Sequence, residues 1–450
     1  MMPPPRVSED GRQVVHVAMG GVALVLRFAN WWEAAVLAGV AIAVNAHALP
    51  RMPGWPLYRE SERRRRYLSG VTLYPIAILL VILAFPHRLD IVAGAWGILA
   101  FGDGMATIVG RRIGGPRIPW NRAKSAGGTA AFVIFGGAAG AILCVWCRPI
   151  IVPPPYLWFS AGAPFLAALA AAAVETIPIG LDDNVSVPAT AAAVLWWVSL
   201  VSEESVAALA ATSTPLLGSA CLANAGVALG GYVLGTLTVS GAVCGALVGI
   251  VIVLTVGWAG WGLLFATFAM AVVTSRVGLR RKIRLGIAEA RGGRRGGGNA
   301  VANTGIAAAA AVLAAVSYAP GPALIGFVAA LAAGGSDTMA SEVGKAWGGR
   351  TVLFPVLRRV PPGTPGAVSL AGTAAGLVGA GVLGIIGAAT GLVAWGSLFP
   401  IIAGATLGAF AESAMAATLE ARGVLNNDVL NFLNTAIAAA AAVLIAKSLP

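Results

Sequence analysis

The chain reads as an all-α protein, a polytopic bundle of transmembrane helices with roughly 15 spans of about 20 residues each, arranged in two membrane domains. Two observations predict this. Of 450 residues, 58% are hydrophobic and only 11% are charged, whereas a soluble domain carries about 25% charged residues. The apolar residues also gather in stretches long enough to cross a bilayer, where helices satisfy every backbone N–H and C=O internally. Alanine and glycine dominate many of those stretches, which favours close helix packing over a wide aqueous pore.

In chain order, the polar start MMPPPRVSED leads into a first apolar run from Val14 to Phe28. No small-residue cleavage site follows it, so no signal peptide is expected. Further runs begin near Trp31, Leu68, Ile91, Gly128, Tyr156, Asn184, Ser205, Val239, Trp258, Asn299, Pro322, Gly366, Gly396 and Val429. Up to about Ser202 the connecting loops carry RESERRRR (Arg59 to Arg66), a long polar stretch from Gly102 to Thr129, and an acidic LDDN. After Ser205 an Ala/Gly/Val region precedes a strongly basic loop, Val277 to Gly298. A boundary near Glu203 to Ser205 divides the chain into residues 1–203 and 204–450. With no internal repeat visible, two unrelated domains are expected.

Net charge is +12, but its placement points away from nucleic acid. Under that span count, all of the 30 lysines and arginines except Arg27, Arg88, Arg148 and Lys447 fall on one side. Such asymmetry marks the cytoplasmic face, so the N-terminus and the motif loops are expected there, within reach of a cytosolic nucleotide. Cys144, Cys147, Cys221 and Cys244 lie in apolar runs and read as small packing residues.

The stretch GDGMATIVGRRIGGPRIPWNRAKSAGGT carries the most chemistry. Asp103 suits a hard cation, and Arg111, Arg112 and Lys124 with Ser125 suit phosphate oxygens. The glycine pairs Gly114–Gly115 and Gly127–Gly128 let backbone N–H groups approach an anion. Glu175 ends the next acidic region's apolar span, and Asp182, Asp183 and Asn184 follow a Pro and a Gly. One Asx residue suffices for a helix cap; adjacent carboxylates call for a cation, here Mg²⁺. In the second half, Asp337 and Ser341 fall on one helical face with Glu342 adjoining, and acids within a span are costly unless they function. The PPGTPG turn offers Gly363 and Thr364 to phosphate, and Asn427, Asp428 and Asn431 open the last span.

Three segments in order, GDGMATIVGRRIG, PWNRAKSAGGT and GLDDNVSVP, resemble the phytol kinase branch of the dolichol kinase and phosphatidate cytidylyltransferase group, over about residues 10–200. GRQVVH and GVTLYP are similar to that family's opening. The resemblance implies CTP-dependent phosphoryl transfer to an isoprenoid alcohol, with Asp103, Lys124, Asp182 and Asp183 carried over and the role of His16 open. GGRRGGGNAVANTG, SDTMASEVG, VPPGTPGAVSLAGT and NNDVLNFLNT resemble DUF92, a membrane family that includes phytyl phosphate kinases, over about residues 224–450. Asn299, Glu412 and Glu420 depart from that pattern, standing where Gln, Asp and Gln are expected.

Together these readings describe a membrane prenol kinase using Mg²⁺ and CTP, whose second domain phosphorylates the prenyl monophosphate. Asp103, Lys124, Asp183, Asp337 and Glu342 are the catalytic candidates. Asp103, Asp182, Asp183, Asp337 and Asp428 are the metal candidates. Arg111, Arg112, Ser125, Arg294, Asn303, Gly363, Thr364, Asn427 and Asn431 are the phosphate-binding candidates. A cytidylyltransferase is the nearest rival. A lipid or anion transporter is disfavoured because most acids sit at span ends rather than in broken midplane helices.

Overall fold

The computed structural model describes residues 9–51, 70–287 and 293–449. The basic run Arg59 to Arg66 and part of the later basic loop, residues 288–292, lie outside the described residues. The chain forms two compact units, Met1–Ser199 and Leu200–Pro450. Both are all-α helical bundles with small β elements in their loops.

The first unit opens with α1 (Glu9–Gly20), running on as a 3-10 helix Gly21–Arg27, and α2 (Trp31–Ala43). The Asn30 backbone N–H donates to Glu33 Oε2 at 2.8 Å, part of a capping box that fixes where α2 begins. Then come α3 (Gly70–Ala84), α4 (Leu89–Gly97), a π-helical turn Ile98–Asp103, and α5 (Gly104–Arg112). A two-stranded antiparallel hairpin, β1 (Arg117–Ile118) and β2 (Asn121–Ser125), leads into α6 (Ala126–Ala131) and α7 (Gly137–Cys147). Two last helices, α8 (Leu157–Glu175) and α9 (Asp183–Ser199), close the unit.

Every residue of α4 is buried, so this helix is the axis of the first unit. Its packing depends on small residues: a Cβ at Gly94 would stand 2.4 Å from Cys144 Sγ. Cys144 is thus a packing residue, as the sequence suggests. Asp90, fully buried, is held by two hydrogen bonds from Arg88, at 3.0 and 2.9 Å, which is how a charge survives there.

The second unit runs through α10 (Glu203–Ser213), α11 (Leu217–Val233), α12 (Val239–Arg276), α13 (Leu279–Arg284) and α14 (Gly297–Val316). Its axis is α15 (Pro320–Trp347), buried without interruption from Phe327 to Ser336. A three-stranded antiparallel sheet follows, with β3 (Thr351–Leu353) between β4 (Arg358–Arg359) and β5 (Ala367–Ser369). Finally α16 (Leu370–Ala389), α17 (Leu398–Met415) with a π turn Ala416–Glu420, and α18 (Asn427–Ser448) pack around α15.

Among the described residues, ten helices are long and apolar enough to cross a membrane, fewer than the 15 runs in the sequence. The runs near Val14, Trp31, Leu68 and Asn184 form helices that are short or change type partway. Those at Val239 and Trp258 are one helix interrupted at Gly257, whose φ of 73° breaks the helical path. Large apolar side chains such as Val243, Leu247 and Leu444 remain exposed. That is the surface a bilayer covers, and the chain is an integral membrane protein.

Candidate functional site

In the first unit, four loops and helix ends converge on one cluster. Asp103 ends the π turn between α4 and α5, Lys124 lies on β2, Glu175 ends α8 and Asp183 begins α9. The hairpin is tied to the end of α8: Trp120 Nε1 donates to Thr176 Oγ1 and Asn121 Nδ2 to Thr176 O, both at 3.1 Å. This anchoring brings Lys124 to Glu175. Lys124 Nζ donates to Glu175 Oε1 at 2.5 Å and to Asp183 Oδ2 at 3.1 Å.

Ligand oxygens of Asp103, Glu175 and Asp183 lie within 4.8 Å of one another. Burial by itself would lower the Lys124 pKa, but the neighbouring Glu175 and Asp183 carboxylates reverse this and hold the ammonium above its ordinary value. Three carboxylates facing one ammonium leave the cluster short of positive charge, so these donors fit a hard cation.

Two cavities flank the cluster. A polar one of about 480 Å³ is lined by Arg111, Lys124, Ser125 and Glu175 together with Gly110, Gly114 and Gly128. Ser125 also caps its helix, accepting from Gly128 N at 3.2 Å. An apolar cavity of about 290 Å³ lies between α1, α2 and α3 and includes His16, Tyr74 and Asn184 in its lining. His16 Nε2 stands 3.5 Å from Asp103 Oδ2, and its ring meets Tyr74 edge-on. His16 therefore links the apolar cavity to the carboxylates.

Two candidates of this unit fall elsewhere. Asp182 is outside the carboxylate cluster, because its Oδ1 accepts from Asn184 N at 3.0 Å and Asn184 Nδ2 at 2.7 Å. Its carboxylate forms a local cap on Asn184, and it is Glu175 that lies with Asp103 and Asp183. An acid ending an apolar span just before a Pro and a Gly was the available signal. Arg112 is exposed and does not line the cavity.

The second unit has its own polar cavity, of about 490 Å³. Asp337 and Lys345 enter it from α15, Arg295 from the loop just before α14, Glu412 and Glu420 from α17 and its π turn, and Asn427 and Asn431 from α18. Asn303, Gly363 and Thr364 also line it, so the motifs of this half meet in one place. The three departing residues, Asn299, Glu412 and Glu420, all face this cavity. Glu412 Oε2 accepts from Asn434 Nδ2 at 2.7 Å, and Arg295 Nη1 donates to Asn299 Oδ1 at 3.2 Å.

Glu342, Arg294 and Asp428 do not line this cavity. Glu342 is buried in ion pairs with Lys282 and with Lys345, the latter at 2.8 Å. Arg294 packs beside Gly235 and Asp428 beside Gly298. Arg295, the neighbour of Arg294, is the arginine in the cavity. Arg295 forms a β-bridge with Leu237, and on such extended backbone adjacent side chains point to opposite sides, which loop composition does not reveal.

The family model for integral membrane protein DUF92 matches residues 222–439. An uncharacterized membrane protein of Synechocystis is 37% identical over 200 residues, which is 43% of this chain and 77% of that protein. The chloroplastic protein VTE6 of Arabidopsis thaliana is 33% identical over 218 residues, covering 46% of this chain and 65% of VTE6. A probable phytol kinase 2 of Glycine max is 28% identical over 218 residues, or 41% of this chain and 74% of the kinase. No solved structure matches the chain significantly. Both resemblances drawn from the motifs hold, and the chain belongs to the DUF92 family of integral membrane proteins.

Proposed function

We propose that this protein is a membrane prenol kinase, in which the first unit moves a phosphoryl group from CTP to an isoprenoid alcohol and the second acts on the resulting monophosphate. One observation carries this reading: the carboxylate–lysine cluster lies between an apolar cavity suited to a lipid chain and a polar cavity lined by Arg111 and Lys124. The names of relatives, phytol kinases among them, agree with it. By charge placement, the motif loops face the cytoplasm, where CTP is found.

In this mechanism the prenol chain occupies the apolar cavity with its hydroxyl beside His16. The triphosphate lies in the polar cavity against Arg111, Lys124 and the backbone near Gly110 and Gly128. Asp103, Glu175 and Asp183 would hold Mg²⁺, which supplies charge neutralisation for the transferring phosphoryl group. The alcohol oxygen attacks the γ-phosphorus, the bond from that phosphorus to the β-bridging oxygen breaks, and CDP leaves. The hydroxyl proton passes to the Asp103 carboxylate; His16 lies beside it, with Nε2 3.5 Å from Oδ2 and 3.3 Å from Leu99 O. In the second unit, Asp337, Arg295 and Lys345 would serve the monophosphate.

The test is product analysis with the purified protein in detergent, labelled CTP and a panel of prenols. Prenyl phosphate plus CDP is expected. Pyrophosphate plus a CDP-lipid would replace the kinase with a cytidylyltransferase.

A further inference from the structure

The two polar cavities are built from segments of matching pattern, although Val368 stands where the first unit has Lys124. Asp103-Gly-Met-Ala-Thr-Ile-Val-Gly110-Arg-Arg-Ile-Gly-Gly115 and Asp337-Thr-Met-Ala-Ser-Glu-Val-Gly344-Lys-Ala-Trp-Gly-Gly349 share Asp, Met, Ala, Val and three glycines at the same spacing. Ser125-Ala-Gly-Gly-Thr129 and Ser369-Leu-Ala-Gly-Thr373 follow, each after the β element. The order of elements is also the same: an axial helix carrying the Asp, strands, a Ser-capped helix, a helical segment ending in Glu175 or Glu420, and a helix opened by Leu-Asp-Asp-Asn or Leu-Asn-Asn-Asp.

The packing repeats as well. A Cβ at Gly128 would meet Ala106 O at 3.0 Å, Ser125 Oγ at 3.2 Å and Gly110 Cα at 3.4 Å. At Gly372 the matching atoms are Ala340 O at 2.7 Å, Ser369 Oγ at 3.0 Å and Gly344 Cα at 3.3 Å. In both units the serine hydroxyl accepts from the glycine N–H, at 3.2 and 3.1 Å. This crossing brings the serine-capped helix N-terminus against a basic side chain, Arg111 in one unit and Lys345 in the other. Thr107 and Ser341, Thr129 and Thr373, and Glu175 and Glu420 line the two cavities at matching positions.

An apolar cavity borders the polar site in each unit. In the second unit it is about 120 Å³ and shares Arg295, Asn299 and Asn303 with the polar cavity. The Lys282–Glu342 pair is peculiar to the second unit, since Ile108 holds the position matching Glu342.

We propose that the two units are copies of one device, and that the cavity around Asp337, Lys345 and Gly372 is a second, complete site for a metal-bound polyphosphate. This rests on reading the first cavity as such a site. A helix N-terminus with a nearby cation favours a phosphate group, and a carboxylate from the crossing helix favours its counter-cation. Because both features recur with the same registers, the ligand class recurs with them. The second site differs in its acids: Asn427 stands where the first has Asp183, while Glu412 adds a carboxylate from deeper in α17.

The probe is Mn²⁺ with inorganic pyrophosphate, and the readout is pyrophosphate-dependent Mn²⁺ bound per full-length chain in detergent, followed by electron paramagnetic resonance. Wild type should hold two equivalents. Asp103→Asn and Asp337→Asn should each weaken one of them about tenfold or more, and the double variant should lose both. Gly372→Ala, which pushes on Ala340 O without touching a charge, should weaken the same equivalent as Asp337→Asn. If Asp103→Asn removes one equivalent while Asp337→Asn and Gly372→Ala change nothing, the duplication of function is overturned and the first-site reading stands. If Asp103→Asn changes nothing, the reading of the first cavity falls, and the inference with it. Size-exclusion profiles and thermal unfolding identify any variant that has not folded.

Discussion

Lys124 and Glu175, far apart in sequence, meet with the lysine ammonium 2.5 Å from the carboxylate. The same ammonium reaches Asp183. Such an arrangement lets one ammonium hold two carboxylates close together. Lys124→Ala and Glu175→Gln should each lower prenol phosphorylation about 100-fold or more, as loss of one group stabilising the transferring phosphoryl does. Steady-state assays with labelled CTP check this, and near wild-type turnover in both would remove the cluster from the mechanism.

Asp103 and Asp182 should behave differently although both are acids in motif loops. Asp103→Asn should abolish transfer with the protein still folded. Asp182→Asn should retain activity, because an amide oxygen can still accept from Asn184, and any loss of stability should stay below about 1 kcal/mol. Activity and thermal unfolding of the pair decide it; equal loss of activity would return Asp182 to the metal site.

His16 should matter to the alcohol and not to the nucleotide. With His16→Ala, turnover of prenol should fall about tenfold or more, while CTP binding measured by equilibrium dialysis should be unchanged. A parallel loss of CTP binding would place His16 on the wrong side of the cluster.

In the second unit, Glu342→Gln should destabilise the protein by about 3 kcal/mol, since it leaves buried Lys282 short of its counter-charge. Asp337→Asn should instead remove monophosphate kinase activity with little change in unfolding temperature. Thermal unfolding in detergent together with the monophosphate assay separates the two. The reverse pattern would exchange their roles.

Sidedness is open to direct labelling. Cysteines placed at exposed Arg112, Arg358 and Arg422, in a chain with its four cysteines replaced, should react with an impermeant maleimide only from the cytoplasmic side. Labelling of any one from the outside would break the charge-based topology.

The sequence by itself determined that this is a helical membrane protein and which segments carry its polar motifs, because span length, apolar content and charge are local properties. It also marked Asp103, Lys124, Asp183 and Asp337, since charged residues beside apolar spans stand out. Local composition could not distinguish Arg294 from Arg295 or Asp182 from Asp183, where one step along the backbone separates a cavity wall from a cap or a packed side chain. Nor did it make the repeat visible: the shared Asp, Met, Val and Gly positions are scattered in Ala- and Gly-rich segments joined by loops of unequal length. Only the tertiary structure decided these points, because the crossing of Gly110 with Gly128 and of Gly344 with Gly372 sets the register at which each serine-capped helix meets its axial helix.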